Sequence, residues 1–361
     1  MIHWILSSET CLVTDFLPKR MLVTGGAGFI GCNFVRHMLT KHKDLTIVTL
    51  DLLTYAGSLR NLEDLPGADR HSFVHADIND RPVIDKLLRE HDIDCVAHFA
   101  AESHVDRSIS GPQAFMATNI LGTYNLLEAA RDYWLGGKRF GTGDCLFHHI
   151  STDEVYGSLG PKDAPFCETT PYAPNSPYSA SKAASDHLVR AWHHTFDLPV
   201  VTTNCSNNYG PYQHAEKLIP TIIRSCIEQQ GIPVYGDGSN IRDWLYVVDH
   251  CAAIDAAICR GRPGETYNIG GLNEWANIDI VRLICRALDD RRPLATSYES
   301  LISFVDDRAG HDWRYAIDAT KTAAELEWQP AETFESGISK TIDWYLDHQD
   351  HLIMAAATTS I

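Results

Sequence analysis

The segment Met21-Leu22-Val23-Thr24-Gly25-Gly26-Ala27-Gly28-Phe29-Ile30-Gly31 constrains this chain more than any other. A short apolar run enters a G-x-x-G-x-x-G turn and leaves it with Ile30, Phe34, Val35, Met38 and Leu39 at helical spacing. Strand, glycine turn and helix in that order let the backbone approach a pyrophosphate, whose charge meets the free N–H groups and the dipole at the helix N-terminus. The next apolar run, Thr46-Ile47-Val48-Thr49-Leu50, ends in Asp51, twenty residues beyond Gly31. A carboxylate there accepts hydrogen bonds from ribose hydroxyls and repels a 2′-phosphate, so NAD is expected rather than NADP. A third run ends in Asp77-Ile78, where the aspartate either meets the adenine edge or caps a helix starting near Asn79-Asp80. Local sequence leaves both open.

The same alternation repeats, with strands expected at 21–24, 46–51, 72–77, 95–100, 145–151 and 200–205. Helical spacing recurs between them, as in Phe115, Ile120, Leu121, Leu126 and Leu127. Right-handed crossovers then predict an α/β fold, a Rossmann-type doubly wound parallel sheet. Beyond residue 210 the rhythm turns irregular, with Pro211, Pro220, Pro233, Pro263 and Pro293 and the turn Gly236-Asp237-Gly238. The expected organisation is an extension over 1–20, an NAD-binding domain over 21–210, a smaller mixed α/β substrate-binding region over 211–345 with segments returning to the first domain, and a tail over 346–361.

A formal net charge of −17 argues against nucleic acid or an anionic membrane as partner, since both need a positive footprint. An anionic substrate then requires a local basic pocket. The ten cysteines are scattered singly, without a C-x-x-C pair, which suits reduced thiols in the cytoplasm. No run approaches the roughly 18 apolar residues of a membrane span. The eighteen histidines offer no ligand spacing, His148-His149 and His193-His194 being neighbours without a matched carboxylate, so no metal is expected.

Ser176-Pro177-Tyr178-Ser179-Ala180-Ser181-Lys182 reads as a helix start, with Ser176 as N-cap and Pro177 at the first helical position. Tyr178 and Lys182 then share a face one turn apart, and an ammonium beside a phenol favours the phenolate, a base near neutrality. The strand from Cys145 delivers Ser151-Thr152-Asp153-Glu154-Val155-Tyr156-Gly157 to the carboxyl edge of the sheet. Thr152 can bridge the phenol and a substrate hydroxyl there. Asp153 and Glu154 read as an acid and a base with separated pKa values, or as turn residues capping local backbone.

With Leu53-Thr54-Tyr55-Ala56-Gly57, the run Ala100 to Ser108 and Asn204-Cys205-Ser206-Asn207-Asn208-Tyr209-Gly210-Pro211, these segments carry a resemblance. The chain resembles the extended short-chain dehydrogenase/reductase family, and within it the nucleotide-sugar 4,6-dehydratases, over nearly all of residues 21–345. The resemblance implies a redox-neutral loss of water from a nucleotide-diphosphate sugar, with dTDP-glucose the leading substrate, and Thr152, Asp153, Glu154, Tyr178 and Lys182 as the catalytic set. It implies an NAD site of Gly25, Gly28, Phe29, Ile30, Gly31, Asp51, Leu52, Thr54, Asp77, Ile78, Ala100, Ala101, Ser103, Thr118, Tyr178, Lys182 and Asn208. The sugar would meet Ser103, Thr152, Glu154 and Asn207; the nucleotide diphosphate would meet Lys217, Leu218, Pro233, Tyr235, Arg242, Asn277, Arg308 and His311. It also implies a homodimer through a four-helix bundle of helices near 113–133 and 177–196.

The sequence departs from that family at Leu52, where a Lys commonly stands, at His214-Ala215 in place of Phe-Pro, and at Ala309 in place of Pro; residues 1–20 have no counterpart. A 4-epimerase on the same fold, which needs Tyr178 and Lys182 but not the carboxylate pair, stays open at this level. So do a dehydratase for UDP- or GDP-sugars and a non-catalytic NAD-sensing scaffold.

Overall fold

Six apolar runs become parallel neighbours in one large sheet. The computed structural model describes residues 16–136, 140–141, 143–307 and 312–352. Its strands are β1 (Arg20–Thr24), β2 (Thr46–Asp51), β3 (His71–His75), β4 (Cys95–His98), β5 (Leu146–Thr152), β6 (Val200–Cys205), β7 (Asn207–Tyr209), β8 (Ile232–Tyr235), β9 (Ile241–Tyr246), β10 (Thr266–Ile269), β11 (Glu274–Ala276) and β12 (Ile302–Val305). The large sheet has the order β10-β6-β5-β4-β1-β2-β3. Every pairing in it is parallel.

Its central strands are buried on both faces, which is why they read as continuous apolar runs rather than as alternation. Helices Phe29–Lys41 and Val247–Arg260 pack on one face, through Phe34, Met38, Leu39, Ile254 and Ile258. Arg81–Glu90, Thr123–Trp134 and Pro177–Phe196 pack on the other, through Ile84, Leu87, Leu127, Trp134 and Val189. Each of these fully covered side chains contributes about 1.5–3 kcal/mol relative to an exposed one.

The strand order reverses between β1 and β4, so the chain leaves their carboxyl ends in opposite directions and opens a crevice there. Above it sits a smaller region built from the sheets β11-β9-β7 and β12-β8, with its own core of Ile219, Ile222, Trp244, Ile280, Ile284 and Phe334. β10 and the helix Val247–Arg260 fall after residue 210 in sequence yet belong to the large sheet and its cover.

Two expectations need correction. β10 was absent from the expected strands, because its four residues lie between Gly264 and Gly270-Gly271 and carry no legible period. Leu121 does not join the inner stripe with Leu126 and Leu127 but is 57% exposed. Residues Met116–Gly122 form a π-helical stretch between the helical turns Pro112–Phe115 and Thr123–Trp134, and the wider turn shifts the phase of every side chain within it.

Candidate active site

The glycine turn closes on the crevice by exclusion of side chains. Gly25 has φ +71°, its N–H donates to the Leu50 carbonyl at 2.9 Å, and a Cβ there would lie 2.6 Å from the Ala100 nitrogen. A Cβ on Gly31 would lie 2.3 Å from the Gly25 oxygen. Gly28 differs: the nearest atom to its Cβ would be the Gly25 oxygen at 3.3 Å, and the residue lines the groove. The helix Phe29–Lys41 starts beside it with no side-chain cap, leaving the first-turn N–H groups available to an anion.

Asp51 ends β2 in the same groove, one oxygen accepting from the Ala27 N–H (2.9 Å) and the other from the Leu53 N–H (2.8 Å). Burial pushes its carboxyl up while these two N–H bonds favour the charged form. Each oxygen keeps a second lone pair for a hydroxyl. Leu52, Thr54, Ala100, Ala101, Ser103 and Thr118 line the groove as well, Thr118 carried in by the π-helical turn. Asp77 and Ile78 line it too; the Asp77 carboxylate accepts from Asn79 N–H at 2.9 Å, while the helix Arg81–Glu90 takes Asp80 as its N-cap. The turn role and the groove position thus coincide at Asp77. Close-packed glycines at Gly25 and Gly31, open space at Gly28 and a carboxylate at the end of β2 fit a dinucleotide.

Further along the groove stand Thr152, Asp153, Glu154, Tyr178 and Lys182, with Asn207 and Asn208 opposite in the short β7. Ser176 and Ser179 form a capping box that starts the helix Pro177–Phe196, with Pro177 at its first position, as the sequence predicts. Tyr178 is buried edge-on to Phe115, with ring centroids 6.3 Å apart. Lys182 Nζ donates to the Ile150 carbonyl at 2.7 Å. Asn119 ties this helix to the wall after β4, donating to Ser181 Oγ (2.8 Å) and accepting from the Glu102 N–H (2.8 Å).

The electrostatics divide the carboxylates from the phenol. Burial, with Glu154 and Asp243 nearby, pushes the Asp153 carboxyl well above the usual carboxylate range, against the pull of Arg242. Asp153 Oδ2 is buried without a hydrogen-bond partner, the situation of an acid that keeps its proton. The expected lowering of the Tyr178 phenol by Lys182 needs correction. Burial, followed by the Glu154 charge, holds Tyr178 well above its ordinary value, and the hydrogen bond to Thr152 only partly offsets them. Lys182 is itself buried, and its ammonium is disfavoured by desolvation. The phenolate therefore needs a further positive charge brought into the groove.

The nucleotide-diphosphate residues are less concentrated. Lys217 lines the groove at the N-terminus of the helix Leu218–Glu228, whose dipole also favours an anion. Leu218, Pro233, Tyr235, Arg242 and Asn277 are not among the groove's lining residues. Leu218 packs on the core of the smaller region, and Pro233 and Tyr235 are exposed on β8. Arg242 is buried over the Tyr315 ring (4.3 Å) and donates to the carbonyls of Ile241 (2.7 Å) and Asp312 (2.9 Å). Asn277 opens the helix Asn277–Arg291 with its Oδ1 buried and unpartnered. Arg308, His311 and the departure at Ala309 lie outside the described residues, as do 1–15 of the extension and 353–361 of the tail.

Comparisons with known proteins bear on this groove. The family profile described as GDP-mannose 4,6 dehydratase matches residues 22–341. The chain belongs to that family. Within it, the dTDP-glucose 4,6-dehydratase of Xanthomonas campestris pv. campestris (strain B100) is 58% identical over 330 residues, 91% of this chain and 93% of that protein. The crystal structure of the dTDP-glucose 4,6-dehydratase of Streptomyces venezuelae, with NAD and TYD bound, superimposes with a TM-score of 0.85 at 42% identity, covering 93% of this chain and 99% of that one. A UDP-glucose 4-epimerase from Thermotoga maritima, solved with UDP-glucose, shares the fold more distantly, with a TM-score of 0.81 and 25% identity.

Against the family's pattern, sequence reasoning missed several groove residues. Tyr55, Glu102, Gln213, His214 and Glu216 all line it, and His214 is one of the departures. Arg107 lies 3.9 Å over the Tyr55 ring and 3.4 Å from Glu216, whose other oxygen faces His104 and His214, so polar and charged side chains from both regions cluster around Glu216 at the groove. Tyr55 and Glu102 sat inside motifs quoted for the family; nothing local signalled Gln213 or Glu216. Among the described residues one His/Asp/Cys group comes within ligand reach, His42, Asp255 and Cys259, but Lys41 Nζ at 2.5 Å from Asp255 already balances its charge.

Proposed function

We propose that this chain removes water across C5 and C6 of dTDP-glucose, giving dTDP-4-keto-6-deoxyglucose. The observation that carries this reading is the placing of an acidic pair, Asp153 and Glu154, on one groove wall with Tyr178 and Lys182, in a chain 58% identical to a dTDP-glucose 4,6-dehydratase. A 4-epimerase has no use for that pair. Bound along Gly25, Gly28, Asp51 and Lys182, NAD supplies reversible hydride acceptance, so the overall reaction is redox-neutral.

Tyr178, positioned with Thr152, takes the proton of the C4 hydroxyl as C4 is oxidised. The positive charge of the oxidised nicotinamide, together with Lys182, offsets the burial that otherwise keeps the phenol protonated. The 4-ketone acidifies the C5 hydrogen, which Glu154 removes. Asp153, protonated in its buried setting, gives its proton to the C6 hydroxyl as that oxygen leaves as water. C6 is then reduced and C5 regains a proton from Glu154 after exchange with solvent; Tyr178 releases the C4 hydroxyl's proton to solvent and Asp153 takes one back, so each residue ends the cycle as it began. Lys217 at its helix N-terminus meets the diphosphate.

Leu121, Tyr124 and Phe196 form an exposed apolar face on the two helical stretches expected to pair between copies. We read it as a homodimer interface, which light scattering of the purified protein tests; a monomer at micromolar concentration contradicts it. The cysteines in the described residues carry free thiols, which suits a cytoplasmic enzyme.

The catalytic roles separate in single-turnover absorbance at 340 nm. Tyr178→Phe gives no rise on adding dTDP-glucose to NAD-loaded protein, whereas Asp153→Asn with Glu154→Gln gives a rise that decays slowly and releases little product. Full turnover by the double variant contradicts the assignment.

A further inference from the structure

The helix Pro177–Phe196 is fastened to β5 at three successive residues. Lys182 holds the Ile150 carbonyl, and one turn later Asp186 accepts from His149 Nε2 at 3.0 Å and from Ser151 Oγ at 2.8 Å. Lys182 and Asp186 are both buried, four residues apart on one face. We propose that Asp186 is a positioning residue for the reaction: it keeps the Lys182 ammonium charged and sets the strand that carries Thr152, Asp153 and Glu154 in register with the helix that carries Tyr178. This rests on the dehydratase reading, in which Lys182 supports the Tyr178 phenolate.

The surroundings single out Asp186 as the counter-charge. Burial disfavours the Lys182 ammonium, and Asp186 is the main group working the other way. The pair is faced by Tyr178 on its own helix, His98 on β4, His149 on β5, Cys205 on β6, and Tyr156 and Tyr172 from the segment that follows β5. All of these are neutral at pH 7. Burial holds His149 down at about 4 and Cys205 up at about 12, holds His98 well below its ordinary value, and raises all three phenols. Among the described residues, then, Asp186, one turn along the same buried helix face and bonded to the two residues of β5 that flank Ile150, supplies the nearby negative charge that favours the Lys182 ammonium.

Asp186→Asn removes that charge with little change of shape. His149 Nδ1 has no partner, so the imidazole can change tautomer and let Nε2 accept from the new amide. In protein labelled with 13C-lysine, the Lys182 Cε resonance, assigned by its loss in Lys182→Met, should titrate at least one pH unit lower in Asp186→Asn, a tenfold change in proton affinity. The alkaline limb of the first-turnover rise at 340 nm should move down with it. Asp186→Glu, which keeps the charge, should titrate with the parent. A purely structural role would lower amplitudes without moving either titration. Coincident titrations of Asp186→Asn and parent overturn the proposal, as does a shift in Asp186→Glu as large as that in Asp186→Asn. If the parent itself shows no rise at 340 nm, the dehydratase reading fails, while the resonance still decides the role of Asp186.

Discussion

Alanine at Gly25 and at Gly28 should separate folding from cofactor binding, although both glycines belong to one turn. At Gly25 a Cβ would sit 2.6, 2.7 and 2.9 Å from backbone atoms of Ala100 and Phe99, and φ is +71°. Neither the neighbouring strand end nor the dihedral can yield cheaply. Overpacking against backbone costs about 1–3 kcal/mol and the left-handed conformation about 1 kcal/mol more, so Gly25→Ala should lose about 2–4 kcal/mol of stability. At Gly28 the backbone is extended, with φ −80° and ψ 178°, and the nearest atom to a Cβ is 3.3 Å away. The entropy gained by removing a glycine from the unfolded chain roughly offsets the loss of a favoured N-cap residue, leaving stability within about 1 kcal/mol of the parent. The added methyl nevertheless projects from the groove wall where the pyrophosphate is expected, and NAD should bind at least tenfold more weakly, about 1.4 kcal/mol. Urea unfolding and calorimetric titration with NAD measure the two effects. Parent-like NAD affinity in Gly28→Ala, or parent-like stability in Gly25→Ala, would refute the reasoning.

Asp153→Asn should raise the melting temperature while it removes elimination. The Asp153 carboxyl is raised in the fold, so its contribution to stability is complete below the unfolded carboxylate pKa of about 3.9 and is lost as pH rises through the folded value. The variant's advantage should therefore grow from acid towards neutral pH; an equal advantage at all pH values would contradict the raised carboxyl. His148, His149 and His250 are held down at about 3, 4 and 3, so they favour the fold above the unfolded histidine value of about 6.5 and oppose it as pH falls. Three such groups give a slope approaching about 4 kcal/mol per pH unit below pH 6. Urea midpoints unchanged between pH 7 and pH 5 would rule this out.

Much of this arrangement was legible in sequence because its signals are local. The glycine spacing, the apolar strand runs and the Ser176-Pro177 start each act within a few residues, and each reappears in the fold. What was not legible depends on distant partners. The Lys182 bond to Ile150 joins positions 32 residues apart, and the pKa of Tyr178 is set by burial and by Glu154 on another element. His148 and His149 bond to opposite sides of β5, to Thr203 and to Asp186, a division that periodicity suggests but whose partners it cannot name. Leu121 failed as a core residue because a π-helical turn breaks the 3.6-residue period that the reading assumed. Arg242 is chemically suited to a diphosphate, yet the backbone of Asp312 and Trp313 captures its guanidinium in this structure.

NMR of the sugar formed from dTDP-glucose and NAD-loaded protein in deuterated water examines the dehydratase assignment at the reacting atoms. A 4-keto-6-deoxyhexose with a C6 methyl group and deuterium at C5 is the predicted product. A hexose that keeps its C6 oxygen, whether unchanged or inverted at C4, would contradict it.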